Sequence, residues 1–465
     1  MTLSGAALPA TVTGPTPTVS VSSLVAAFRS GELSPTENLV RTLDLMAARG
    51  ADGTWITVVD RDVALARAAA LEADPAAPAL PLYGVPFGVK DSIDVAGWPT
   101  TLACPAYAYR AASTAPAVQR LLDAGAILVG KTNLDQFATG LNGTRTPHPI
   151  PRSVFGGDLI SGGSSSGSAL AVALGEVPFA VATDTAGSGR VPPALNGVLG
   201  FKPSRGLIST VGLVPACRSL DCLSLVAAHA EDLSTVFDVL AGEDERDPWS
   251  RPRVPEPAYP ATLVVGLPDL DELEFFTDAA MAAAHRSARA RVADLFGTCT
   301  PPLGPFLEAG ELLYAGPWVA ERLVEFGDFL ADHPGEVLPV VEQIIRGGAR
   351  FTAQDVFRAQ YRLAELKAVV ARLFQTMDVL VLPTIGTTFT VPEVLADPIR
   401  TNTVLGHYTH FGNLLDLCAG AVPAGTTTDG RPASLMVLGA ALADDVVLAV
   451  ADRLSSVLPT SRRTA

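Results

Sequence analysis

The chain has 465 residues, of which 48% are hydrophobic and 17% charged, enough apolar material for a large buried core. Its formal net charge of −15 argues against nucleic acid and anionic membrane as partners. An anionic substrate would need a local basic anchor against the field of the whole molecule.

Residues 1–18 hold Pro9, Pro15 and Pro17 without a basic leader, and are expected to form a flexible tail. A helix is predicted near residues 22–29. Ser34-Pro35-Thr36-Glu37 is a capping box with proline at the first helical position, so a second helix is predicted over about residues 35–48. Its Val40, Leu43 and Met46 follow at helical spacing. Short apolar or β-branched runs at 85–89, 127–129, 180–182, 263–265 and 379–382 read as strands. Helical stretches at 117–124 and 168–174 separate several of them, and the alternation implies an α/β layer architecture. The segment 244–260 is rich in proline and charge and reads as a long loop within one domain. A domain over 19–458 and a short C-terminal tail over 459–465 complete the organisation. The apolar run 169–182 is broken by Glu176 and Pro178, so no segment is clean enough to span a bilayer. Five cysteines, an odd number without CxxC spacing or a leader, fit a reducing, cytoplasmic setting.

Lysine is scarce: Lys90, Lys131, Lys202 and Lys367 are the only four among 33 basic residues. Lys90 follows an apolar run and should emerge from a buried strand end, where desolvation can make a neutral lysine base. A snorkelling surface lysine is the plainer reading. The loop 162–168 lacks the Gly-Lys-Ser/Thr ending of a phosphate loop. It formally matches G-x-S-x-G, with Ser165 as an elbow nucleophile, although 158–161 is a poor preceding strand. It can also present serine hydroxyls between a lysine and a nucleophile elsewhere. In the turn that follows, Thr185-Ala186-Gly187-Ser188 is a run of small residues that lets backbone N–H groups converge as in an oxyanion hole. Asp184 and Arg190 flank this turn and can hold it as a buried pair, or form an ordinary surface salt bridge. The six histidines are scattered; His407 and His410 lack a third ligand, so no metal site is expected.

Three stretches, Gly88-Val89-Lys90-Asp91-Ser92, Gly162-Gly163-Ser164-Ser165-Ser166-Gly167-Ser168 and Thr183-Asp184-Thr185-Ala186-Gly187-Ser188-Gly189-Arg190, together resemble the amidase signature family. The similarity runs over nearly the whole chain. It implies an α/β fold with a large mixed sheet covered by helices on both faces. It also implies Lys90 as base, Ser164 as a bridging serine after a cis Gly163–Ser164 peptide, and Ser188 as acyl-forming nucleophile. The backbone of Thr185, Ala186, Gly187 and Ser188 would form the oxyanion hole. No metal or organic cofactor is implied, and the family often forms homodimers. Ala186-Gly187-Ser188-Gly189-Arg190 stands where the family usually has Gly-Gly-Ser-Ile-Arg. With the stretches at 133–140, 214–222, 313–322 and 413–418, this variant resembles the allophanate hydrolases. That resemblance implies a small anionic amide as substrate, its carboxylate held by Tyr314 and Arg322. Arginine with tyrosine is a suitable carboxylate clamp. Such hydrolases commonly carry a further C-terminal domain, which is expected to be missing here.

Overall fold

The computed structural model describes residues 15, 16, 18–253 and 262–459. Eleven strands among them form one mixed sheet. In spatial order they are Trp55–Val58, Ile127–Thr132, Pro86–Lys90, Phe179–Asp184, Cys222–Ala227, Leu199–Lys202, Cys418–Thr426, Pro432–Gly439, Val379–Pro383, Val264–Gly266 and Gly297–Cys299. Successive side chains of a strand point to opposite faces. Phe87 and Val89, Phe179 and Val181, and Leu435 and Val437 accordingly pack in one core. Ala180 and Ala182, and Met436 and Leu438, pack in cores on the other face. Both faces are therefore apolar and both are covered. Helices Pro116–Asp123, Ala230–Leu240 and Asp444–Val457 lie on the first. Helices Pro35–Arg49, Arg61–Ala73, Ser166–Ala173, Gly304–Tyr314 and Ala353–Leu373 lie on the second. The expected α/β/α architecture is the observed one.

The capping box works as the sequence suggests. Ser34 Oγ accepts from the Glu37 N–H, and the Glu37 carboxylate accepts from the Ser34 N–H. Two donors that the first helical turn leaves unpaired are satisfied this way. All five predicted strands are present, but three run further into polar residues, to Lys90, Thr132 and Asp184. Those residues read as loop by polarity, yet pairing with neighbouring strands holds their backbones in the sheet. The other strands of the sheet, among them Leu199–Lys202 and Cys222–Ala227, went unpredicted, because their glycine, lysine and serine content dilutes the apolar signal.

The loop from residue 244 is fastened to the domain. Asp244 accepts from Ser209 Oγ, Asp247 from the Thr210 N–H, and Arg251 pairs with Asp416. Residues 254–260 of that predicted segment lie outside the described residues. So do most of the predicted N-terminal tail and the C-terminal tail beyond residue 459. The end of the N-terminal tail is tied down, with the Thr16 N–H donating to Ala173 O and His229 Nε2 hydrogen-bonded to Thr18 O. Among the described residues no helix is long and apolar enough to cross a membrane.

Strands Pro86–Lys90 and Phe179–Asp184 are parallel neighbours, so Lys90 and Asp184 terminate adjacent strands at the same edge. In α/β sheets the crevice beyond the carboxyl ends of strands is where ligands bind.

Candidate active site

Lys90 is fully buried at the end of its strand. Its Nζ lies 2.8 Å from Ser164 Oγ, 3.0 Å from Ser165 Oγ and 2.7 Å from Thr183 Oγ1. All three partners are neutral hydroxyls. Burial pulls the Lys90 ammonium down to about 7, against the carboxylates of Asp135, Asp221 and Asp184, which favour its charged form. Arg322 pushes in the same direction as burial. A group balanced near neutrality can both take and return a proton.

Ser164 stands between Lys90 and Ser188, its Oγ 2.9 Å from Ser188 Oγ. The Gly163–Ser164 peptide is cis. The glycine is required by its surroundings, since a Cβ at Gly163 would run into the carboxylate of Asp135. Ser165, the alternative nucleophile, has a different place. Its hydroxyl donates to Thr183 O at 3.0 Å and sits on Lys90, at the N-terminus of helix Ser166–Ala173. That helix is buried all round, and Gly167 lets it pass close against Thr54 O and the Asn133 N–H.

The turn after Phe179–Asp184 is held from below by one carboxylate. Arg190 donates through Nε to Asp184 Oδ2 and through Nη2 to Asp184 Oδ1, both at 2.9 Å, with both side chains fully buried. Burial works against the Asp184 charge, but Arg190 wins and keeps its carboxyl below the usual range. The expected flanking pair is thus a buried brace, extended by Arg190 Nη2 to Thr409 O and Asn413 Oδ1. One expectation needs correction. The Gly187 N–H, expected to belong to the oxyanion hole, donates to Asp184 Oδ1 at 2.9 Å. A buried carboxylate is a strong, permanent acceptor, so Gly187 is a poor donor for a transient oxyanion. The N–H groups of Thr185, Ala186 and Ser188 have no acceptor among the described residues. Gly187 serves by its shape instead: at φ 130°, a Cβ there would strike Thr409.

Tyr314 closes helix Gly304–Tyr314, and Arg322 lies on the next helix, Val319–Asp332. They come together, Arg322 Nη2 lying 3.4 Å from the Tyr314 hydroxyl. Arg322 is buried and its other arm donates to Thr139 Oγ1 at 2.9 Å. A cavity of about 550 Å³ opens beside Tyr314, lined also by Arg145, Asn402 and His410. Ser188 and Arg322 are not among its lining residues, so Tyr314 is the predicted site residue that borders it. His410 packs its ring on Tyr314, and His407 packs on Phe276 and Tyr408.

Four participants carried no role in the sequence reading. Thr183 is the third hydroxyl on Lys90. Asp221 accepts from Thr185 Oγ1 and the N–H groups of Ala216 and Cys217, and burial raises its carboxyl to about 6. Asn413 donates to Asp184 O, and Asp135 lies beneath the Gly163–Ser164 peptide. Asp135, Asp221 and Asn413 all fall inside the stretches that carry the subfamily resemblance, which was the available signal.

The family model described as Amidase matches residues 43–448. The urea amidolyase of Saccharomyces cerevisiae is 39% identical over 435 residues, covering 91% of this chain and 23% of that protein. An allophanate hydrolase structure from Kluyveromyces lactis superposes with a TM-score of 0.89 at 38% identity, over 96% of this chain and 74% of that one. A glutamyl-tRNA(Gln) amidotransferase subunit of Symbiobacterium thermophilum is 32% identical over 464 residues, 91% of this chain and 93% of that protein. The chain spans about a quarter of the length of the urea amidolyases it matches.

Proposed function

The chain belongs to the amidase family and is by that membership an amide hydrolase; from this premise we propose that it hydrolyses allophanate through Lys90, Ser164 and Ser188. The observation that carries the reading is the continuous chain of contacts from Lys90 Nζ through Ser164 Oγ to Ser188 Oγ, at 2.8 and 2.9 Å. Neutral Lys90 draws a proton from Ser164, which takes one from Ser188 as Ser188 attacks the terminal carbamoyl carbon. The N–H groups of Thr185, Ala186 and Ser188 receive the charge that develops on the carbonyl oxygen. The proton returns along the same path to the leaving ammonia. Water then attacks the acyl-enzyme, and N-carboxycarbamate departs.

Tyr314 and Arg322 hold the substrate carboxylate in this reading. An arginine buried among hydroxyl and carbonyl oxygens, in a chain of net charge −15, supplies the local cation that an anionic substrate needs. The likeness to allophanate hydrolase supports this substrate, and the comparable match to an amidotransferase makes comparison with other amides necessary. The test is ammonia release from allophanate beside biuret, urea and benzamide, with mass analysis of Ser188 after trapping. Allophanate should lead by orders of magnitude in kcat/KM. Preference for an uncharged amide, or acylation at a residue other than Ser188, would refute the corresponding part.

A further inference from the structure

Asp135 meets the Gly163–Ser164 peptide at both of its residues. Its N–H donates to Ser164 O at 3.1 Å. Its carboxylate accepts from the Gly143 N–H at 3.1 Å and the Arg145 N–H at 2.9 Å, and fills the space where a Gly163 side chain would go. It is fully buried, yet among the described residues no cationic side chain forms an ion pair with it. Burial raises its carboxyl, and Arg145 with the two backbone donors opposes that rise. Each carboxylate oxygen already accepts a backbone N–H, an arrangement that favours the ionised form. The two backbone donors give the carboxylate the geometry of an anion site beside the Gly163–Ser164 peptide. We propose that Asp135 is a positioning residue for the proton relay, holding Ser164 through its backbone N–H and packing its fixed carboxylate against Gly163.

The inference rests on the roles proposed for Lys90, Ser164 and Ser188. The charged groups acting on Lys90 are Asp135, Asp221, Asp184 and Arg322, and among the carboxylates Asp135 exerts the largest influence. Asp135 itself feels Arg145 and Lys90. Its charge favours the lysine ammonium. Removing that charge should let Lys90 lose its proton at lower pH, and slow the relay by loosening Ser164. A residue that merely fills space would lower the rate without moving the pH dependence.

The experiment measures the rate of Ser188 labelling by a fluorophosphonate as a function of pH, a readout that needs no assumption about the natural substrate. Wild type is compared with Asp135→Asn and Asp135→Ser; the serine variant avoids placing an amide donor against the Gly143 and Arg145 N–H groups. Folding is checked by thermal melting. The expected result is a plateau lowered roughly ten- to a hundred-fold and an acid limb moved down by roughly half to one pH unit. An acid limb that stays at the wild-type position in either folded variant overturns the proposal, as does an unchanged plateau. Failure of wild type to label at Ser188 would instead strike the catalytic reading on which it rests.

Discussion

Lys90 shows how burial among three neutral hydroxyls lowers the proton affinity of a lysine. Water would hold its ammonium charged well above neutrality, but the site replaces water with Ser164, Ser165 and Thr183 and brings the lysine to about 7. If the neutral amine is the active form, as proposed, the acylation rate should rise with pH through about 7 and then level off. Lys90→Ala should cost several orders of magnitude, and Lys90→Ala with Ser188→Ala together should cost little more than either alone, because residues acting as a unit are not additive. Near-normal turnover by either single variant would remove the assignment. Arg322 has two effects that can be separated. The proposed contact with a substrate carboxylate would be worth about 1.5–3 kcal/mol, so Arg322→Met should lose roughly ten- to more than a hundred-fold in kcat/KM for allophanate. Its positive charge also disfavours the Lys90 ammonium. Losing it should shift the acid limb to higher pH even with an uncharged amide, whose plateau should change little. A limb that does not move would show that Arg322 acts on substrate alone.

At the scale of elements, the site is an apposition of strand ends, one helix and one loop, and small residues set how close they come. Helix Ser166–Ala173 lies against Thr54 and Asn133 because Gly167 has no side chain; a Cβ there would meet backbone atoms of both. Overpacking of this kind costs typically about 1–3 kcal/mol. Gly167→Ala should therefore lower the urea midpoint and also slow acylation, since the same helix begins at the Ser164–Ser165 step. A variant with wild-type stability and rate would show that the contact yields easily. Just past this helix, Glu176 is buried against the Trp55 indole N–H at 2.8 Å and near Arg49. Burial raises its carboxyl to about 7. Its folded value thus lies above its unfolded one, so between them the folded state binds more protons and stability falls as pH rises. Glu176→Gln keeps a group of the same shape without the charge. It should raise the melting temperature at pH 8 and change it little at pH 5; equal effects at both would contradict the burial argument.

Across the whole molecule, Arg190 joins parts of the chain that are far apart in sequence. One guanidinium holds Asp184 below the turn at 185–190 and Thr409 and Asn413 from a segment more than 200 residues later. Removing one partner of such a pair leaves an uncompensated buried charge, at a cost of about 3–5 kcal/mol. Arg190→Met should lower equilibrium stability by that order, and activity should fall with it because Gly187 and Gly189 hang from the same carboxylate. Urea denaturation followed by tryptophan fluorescence measures the first. A loss under about 1 kcal/mol would mean that Asp184 finds another partner.

What the sequence determined alone was local or strongly patterned. The capping box at Ser34–Glu37 specifies a helix start from four residues. The apolar runs specify strands, and the order of Lys90, Ser164 and Ser188 within small-residue stretches carried the family resemblance. The tertiary structure decided which polar groups meet. No spacing reveals that the Gly187 N–H is taken by Asp184, that Thr183 joins Ser164 and Ser165 in the shell of Lys90, or that Asp135 lies beneath Ser164. Those contacts join residues as much as 93 positions apart, across strands brought together by burial of both sheet faces. Burial is also what gives the charges their effect: Asp135, Asp221 and Arg322 act on Lys90 because the fold removes the water that would screen them.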